Sequence, residues 1–141
     1  MSPIIFAVLA AVAFGFWTVF HKFASAYVDQ VFGAIFISFV AVCAGLLVLL
    51  PRLKETQLIT DTKGLYFLVG AGLCAFALDF FVLQAYSRGL SISIGGPIVI
   101  GGSIAIAAVA GFLLGDSITW DKLAGIALVL IGAVVLSMSV Q

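Results

Sequence analysis

Five long apolar runs constrain this 141-residue chain more than any other feature of its sequence. Each run has about 20 mostly apolar residues, which is the length that an α-helix needs to cross about 30 Å of hydrocarbon. Only 9% of all residues are charged, whereas soluble domains average about 25%. A β-barrel would alternate apolar and polar residues along short strands, but the runs here are continuous. The sequence therefore predicts an all-α membrane protein with a bundle of five transmembrane helices.

Turn residues and short polar segments separate the expected helices. Pro51 and Arg52 end the second run, and the polar stretch from Arg52 to Lys63 is expected to form an interfacial loop. Thr119 suits the N-cap of the fifth helix, and Asp121 suits the positive end of its dipole. The short connections make neighbouring helices antiparallel and leave no room for a soluble domain. The predicted spans are about 3–25, 31–50, 65–86, 91–114 and 120–140, in one domain over residues 1–141.

The distribution of Lys and Arg residues indicates how the bundle is oriented. Cytoplasmic loops carry more Lys and Arg than loops on the other side, which favours a cytoplasmic N-terminus in the cell (inner) membrane. The bias is modest, and an odd number of spans leaves dual insertion, and hence inverted topology between copies, open. The opposite face has only two basic residues, Lys22 and Arg88. The N-terminal face has four: Arg52, Lys54, Lys63 and Lys122.

Asp79 is the most conspicuous ionisable residue within a predicted span. Ionisable side chains inside a bilayer are costly and face the bundle interior or a water-filled cavity. Asp79 shares a face of its helix with residues at spacings of three to four, so this stripe is expected to point inward: Gly72, Ala75, Leu83 and Tyr86. Asp79 is therefore a candidate proton-linked or cation-binding carboxylate. The alternative is a structural ion pair or an interhelical hydrogen bond.

Several polar or aromatic residues belong to the same half of the membrane as Asp79. Lys22 either extends to the lipid headgroups or reaches Asp79, which lies about one turn deeper. His21 is a candidate for substrate contact or proton relay, but as a lone histidine it does not indicate a metal site. Near Ser93, Pro97 removes a backbone donor and favours a kink and a polar pocket. We expect one cavity to be bordered by Trp17, His21, Lys22, Tyr86 and Ser93.

The sequence contains no pattern that indicates catalysis or a cofactor. It has no phosphate-binding loop with a Lys at the required spacing, no credible catalytic triad and no carboxylate pair. Its formal net charge is zero and it has no basic block, which argues against nucleic-acid binding. We therefore expect a protein that is not an enzyme, needs no cofactor and has membrane lipid and a small molecule as partners.

Four segments resemble the EamA-type domain of the drug/metabolite transporter superfamily. Residues 96–116 followed by 123–136 look like the second half of that domain, and Gly115-Asp116 is similar to its Leu-Gly-Glu turn with Asp replacing Glu. The segment GFWTVFHKFA at residues 15–24 resembles its first helix, in which a Trp-Gly region precedes a Lys. The segment AYSRGL at residues 85–90 resembles the end of its third helix. The likeness extends over nearly the whole chain.

The resemblance implies a secondary transporter of small metabolites or drugs with a central cavity near the membrane midplane. Common members join two inverted five-helix units in one chain, whereas this chain has a single EamA-like repeat unit. The expected assembly is therefore an antiparallel homodimer, with a heterodimer as the alternative. Small multidrug resistance relatives have a Glu in the first helix, and here Asp79 is the intramembrane substitute. Two other functions remain open, an accessory subunit of a heterodimeric transporter and a component of a flippase for lipid-linked substrates.

Overall fold

The computed structural model describes residues 2–53, 58–59 and 61–138. Within these residues the chain forms five α-helices and no strand: α1 (Pro3–Ala24), α2 (Gln30–Leu49), α3 (Thr62–Ser87), α4 (Ile92–Leu113) and α5 (Trp120–Met138). All five helices are long and apolar enough to cross a membrane. The predicted all-α fold with five spans is confirmed, and the chain is a multi-pass membrane protein. Residues 54–57 and 60 of the expected loop and 139–140 of the fifth expected span lie outside the described residues.

Carboxylate caps determine where two of the helices begin. The Asp29 carboxylate accepts hydrogen bonds from the first N–H groups of α2, at Val31 and Phe32. The Asp61 carboxylate accepts the N–H of Lys63 at 2.9 Å. Because this cap satisfies an otherwise unpaired donor, α3 begins at Thr62, before the expected start near residue 65. At its other end α2 passes into a short 3-10 turn over Leu50–Arg52.

The turn between α4 and α5 is a tight, hydrogen-bonded connection. The Asp116 N–H donates to the Gly111 carbonyl at 2.9 Å and closes the last turn of α4. Gly115 has φ of +100°, which is a left-handed conformation that favours glycine. The Thr119 hydroxyl accepts the Lys122 N–H at 3.4 Å. Thr119 is therefore the N-cap of α5, as the sequence predicts.

The helix contacts divide the chain into two compact units. The first consists of Met1–Val19 and Gly89–Gln141, and the second of Phe20–Arg88. In the first unit α4 packs closely against α5. A Cβ added at Gly101 of α4 would lie only 2.8 Å from the Cβ of Ala133 on α5. In the second unit α2 packs against α3, and Ala34 and Leu83 have no exposed surface. Small residues thus allow close helix approach in both units.

The inward-facing stripe that the sequence predicts on α3 is buried only in its second half. Asp79, Leu83 and Tyr86 are buried, but Gly72 and Ala75 are exposed within the chain. The prediction is wrong for these two residues. The spacing of residues along one helix identifies a common face, but it does not determine how far a neighbouring helix extends along that face.

Candidate functional site in the unit Phe20–Arg88

A buried pair of ionisable side chains forms the centre of the candidate site. His21, near the end of α1, is 2% exposed, and Asp79, inside α3, is 6% exposed. The His21 Nε2 lies 3.1 Å from the Asp79 Oδ1. At this distance the two side chains share a hydrogen bond, and which of them is the donor depends on the tautomer of His21. The structure therefore confirms that Asp79 faces protein, beside the polar end of the first helix.

Lys22 and Tyr86 form a second contact in the same unit. The Lys22 Nζ donates to the Tyr86 carbonyl at 3.3 Å and lies 5.6 Å from the centroid of the Tyr86 ring, within the range of a cation–π interaction. Tyr86 is 3% exposed, and its hydroxyl has no hydrogen-bond partner among the described residues. Leaving a buried hydroxyl unpaired costs about 1–3 kcal/mol.

Local sequence explains why α1 supplies polar groups at this end. His21 and Lys22 occupy the last turn of α1, where the positive charge of Lys22 interacts favourably with the helix dipole. Ser25 is buried, and its hydroxyl donates to the Lys22 carbonyl at 2.8 Å, so the side chain satisfies a carbonyl at the helix end. Ser25 did not stand out in the sequence, because a serine at a helix end usually has only this local role.

Trp17 and Ser93 belong to the other unit, which consists of Met1–Val19 and Gly89–Gln141. The ring of Trp17 stacks on Phe14 with centroids 4.9 Å apart. The hydroxyl of Ser93 lies 3.1 Å from that of Ser91. The predicted cavity shared by Trp17, Ser93 and the cluster on α1 and α3 stays a prediction.

Of the six candidate residues, the structure brings four together in one unit, as two contacts: His21 with Asp79, and Lys22 with Tyr86. The sequence suggested that Lys22 could reach Asp79, and the structure places the His21 Nε2 3.1 Å from the Asp79 Oδ1. Helix depth indicates that both α1 residues lie near Asp79, but it does not determine which atom of α3 each side chain contacts. In the described part of the chain, no group of three or more His, Cys, Asp or Glu residues could hold a metal ion.

Comparisons with known proteins identify the family of the chain. No curated protein and no solved structure matches the chain. The family model that matches describes EamA-like transporters, and its match extends over residues 1–138. That range includes all five helices and every candidate site residue. The chain therefore belongs to the EamA-like transporter family.

Proposed function

We propose that the chain is a secondary transporter of small metabolites or drugs, in which Asp79 and His21 bind the substrate or its coupling ion. The observation that carries this proposal is the buried His21–Asp79 contact inside membrane-spanning helices. A buried ion pair contributes little net stability, since well-packed apolar residues often replace one without loss. In a transporter family, a costly intramembrane pair is better explained by function.

The geometry supports exchange between a proton or cation and a substrate at one carboxylate. The Asp79 Oδ1 lies 3.1 Å from the His21 Nε2, and a proton bound to the carboxylate removes its negative charge. A substrate with a positively charged or donor group competes for the same oxygen atoms. Because both ligands use Asp79, binding of one disfavours binding of the other, and this competition couples their movements. The Tyr86 hydroxyl supplies a further donor for the substrate.

Trp17, Lys22 and Ser93 are further candidates for substrate contact in this proposal. Lys22 provides a cation beside Tyr86, and Trp17 provides an aromatic surface. We place the protein in the cytoplasmic membrane with its N-terminus in the cytoplasm. The excess of Lys and Arg residues on the N-terminal face supports that orientation.

The working assembly that we propose is a dimer of five-helix units, formed by two identical chains in opposite orientations. The family match extends over residues 1–138 and includes five spans, and transporters commonly enclose a midplane site between inverted repeats. Gly72 and Ala75 lie exposed on the same face of α3 as Asp79, so this face is free to meet a second unit.

Single-cysteine labelling tests the dimer proposal. Cys43 and Cys74 are first replaced by Ala, and one cysteine is added in a C-terminal tag. Impermeant maleimide applied to either side of sealed membranes should label part of the protein each time. Labelling from one side alone would rule out two identical chains in opposite orientations. It would favour a heterodimer, in which this chain could be an accessory subunit.

Binding and uptake measurements test the transport proposal. The purified chain is screened for thermal stabilisation by a panel of amino acids, sugars, nucleosides and cationic drugs, and each hit is tested for uptake into proteoliposomes. Asp79→Asn should weaken binding or uptake of a hit at least about tenfold, because it removes a charge-assisted hydrogen bond. Asp61→Asn, at the N-cap of the same helix, is a matched control, since Asn also caps helices well. Equal activity of Asp79→Asn and Asp61→Asn would overturn the role of Asp79.

A further inference from the structure

We propose that a groove between α4 and α5 is a binding site for a phospholipid with a primary ammonium headgroup, such as phosphatidylethanolamine. The groove lies entirely in the unit that contains Gly89–Gln141 and has a volume of about 440 Å³, within the range of about 300–1,000 Å³ typical of ligand sites. The candidate transport site uses none of its residues. This inference is therefore independent of the transported substrate.

The apolar part of the groove has the length of an acyl-chain site. Its α4 wall extends from Phe112, beside the end of the helix, to Ile104. At 1.5 Å per residue this is about 12 Å, which is most of one leaflet of a hydrocarbon core about 30 Å thick. Gly125 and Val129 line the opposite wall on α5. A membrane-facing groove of this length and polarity fits a lipid chain lying along the helices.

The mouth of the groove has charges of both signs. Asp116, Asp121 and Lys122 line it, at the turn where α4 ends and α5 begins. Trp120 beside them is 86% exposed, as is typical of aromatic residues at the membrane–water interface. The charged groups therefore lie at the depth of lipid headgroups, directly above the apolar walls.

Contacts in the turn orient these charged side chains. Lys122 Nζ donates to the carbonyl and to the hydroxyl of Ser117, at 2.8 and 3.2 Å. An ammonium group has three donors, so one remains for a phosphate oxygen. The carboxylate of Asp116 lies over Gly111, where an added Cβ would be 2.7 Å from Asp116 Oδ2. No hydrogen bond or ion pair within the described part of the chain occupies the carboxylates of Asp116 and Asp121.

Charge complementarity selects the headgroup. The two carboxylates match a lipid ammonium group, and the free donor of Lys122 matches the adjacent phosphate. A primary ammonium has N–H donors for the carboxylates, whereas the methylated ammonium of phosphatidylcholine has none. An anionic headgroup such as that of phosphatidylglycerol has no ammonium group to bind the carboxylates. It is also repelled by the mouth of the groove, which has two negative charges and one positive charge. The site should therefore prefer phosphatidylethanolamine to both.

Native mass spectrometry of the purified full chain with equal amounts of phosphatidylethanolamine, phosphatidylcholine and phosphatidylglycerol tests this proposal. We expect bound phosphatidylethanolamine to exceed each of the others at least about fivefold, as for an exposed charged pair of about 1 kcal/mol. The double variant Asp116→Asn/Asp121→Asn should abolish the preference. Gly125→Leu should reduce binding of all three lipids, because the leucine side chain fills the groove. Gly70→Leu on α3 is the matched control, since an added Cβ meets nothing within 4 Å at either glycine.

Two results would overturn the proposal. One is equal binding of the three lipids by the unchanged chain, which would show that the charged mouth does not select a headgroup. The other is a dimer that contains no bound lipid, and that dissociates when Gly125 is replaced by Leu but persists when Gly70 is replaced by Leu. That result would show that a second copy of the chain, and not a lipid, occupies the groove.

Discussion

Replacing Gly101 by Ala should destabilise the packing of α4 on α5, although alanine is the better helix former. The added Cβ would lie 2.8 Å from the Cβ of Ala133, whereas carbon atoms in contact are about 3.5–4.0 Å apart. Both atoms are fixed to the backbone, so no rotamer change relieves the overlap. The two helices must instead separate by about 1 Å at this point, a shift that follows from the same contact distance.

The neighbouring glycine provides a matched measure of this cost. At Gly102 an added Cβ meets nothing within 4 Å, so Gly102→Ala changes the helix propensity without an overlap. Alanine is favoured over glycine in a helix by up to about 1 kcal/mol at either position. Overpacking costs about 1–3 kcal/mol. The free energy of unfolding of Gly101→Ala should therefore be about 1–3 kcal/mol below that of Gly102→Ala.

Unfolding of the purified protein in detergent micelles, followed by tryptophan fluorescence, measures these differences. In the double variant Gly101→Ala/Ala133→Gly the overlapping Cβ of residue 133 is gone, so most of the lost stability should return. A double-mutant cycle of the two substitutions gives their coupling directly. The packing argument fails if Gly101→Ala is as stable as Gly102→Ala, or if Ala133→Gly does not restore stability.

Three further substitutions test other parts of the structure. Asp29→Ala should lower the free energy of unfolding by about 1 kcal/mol through loss of the α2 cap, while Asp29→Asn should have little effect. Equal losses of stability in both variants would contradict the capping role. Gly115→Ala should lower it by about 1–2 kcal/mol because of the left-handed backbone, and an unchanged melting curve would refute this. Trp17→Ala should weaken substrate binding more than it lowers the melting temperature, and the reverse result would identify Trp17 as a packing residue.

The five spans could be predicted from the sequence because the bilayer leaves few alternatives. Every backbone polar group in the hydrocarbon must be satisfied within the protein, so continuous apolar runs of this length specify helices. The N-cap of α5 could also be predicted, because its chemistry is local: the Thr119 hydroxyl accepts a hydrogen bond from the backbone N–H of Lys122. Length, polarity and local hydrogen bonding are properties of short segments, and sequence alone determines them well.

The contacts between helices were harder to predict. Asp79 was expected to meet the polar end of α1, and the packed helices bring the His21 Nε2 to 3.1 Å from the Asp79 Oδ1 and the Lys22 Nζ to 3.3 Å from the Tyr86 carbonyl oxygen. Gly72 and Ala75 have the spacing of buried residues, yet they are exposed within the chain. Which face of a helix meets a neighbour depends on residues far apart in sequence, and periodicity along one helix does not contain that information.

The initial uptake rate of a substrate identified in the panel, measured in proteoliposomes, tests the central claim most directly. The rate is compared for the unchanged chain, Asp79→Asn, His21→Gln and the double variant. The melting temperature of each protein is measured as well, to show that each variant is folded. If the buried pair acts as one functional unit, either single substitution should lower the rate at least about tenfold, and the double variant should be little slower than the slower single variant. Equal uptake by all four proteins would show that the pair has no part in transport.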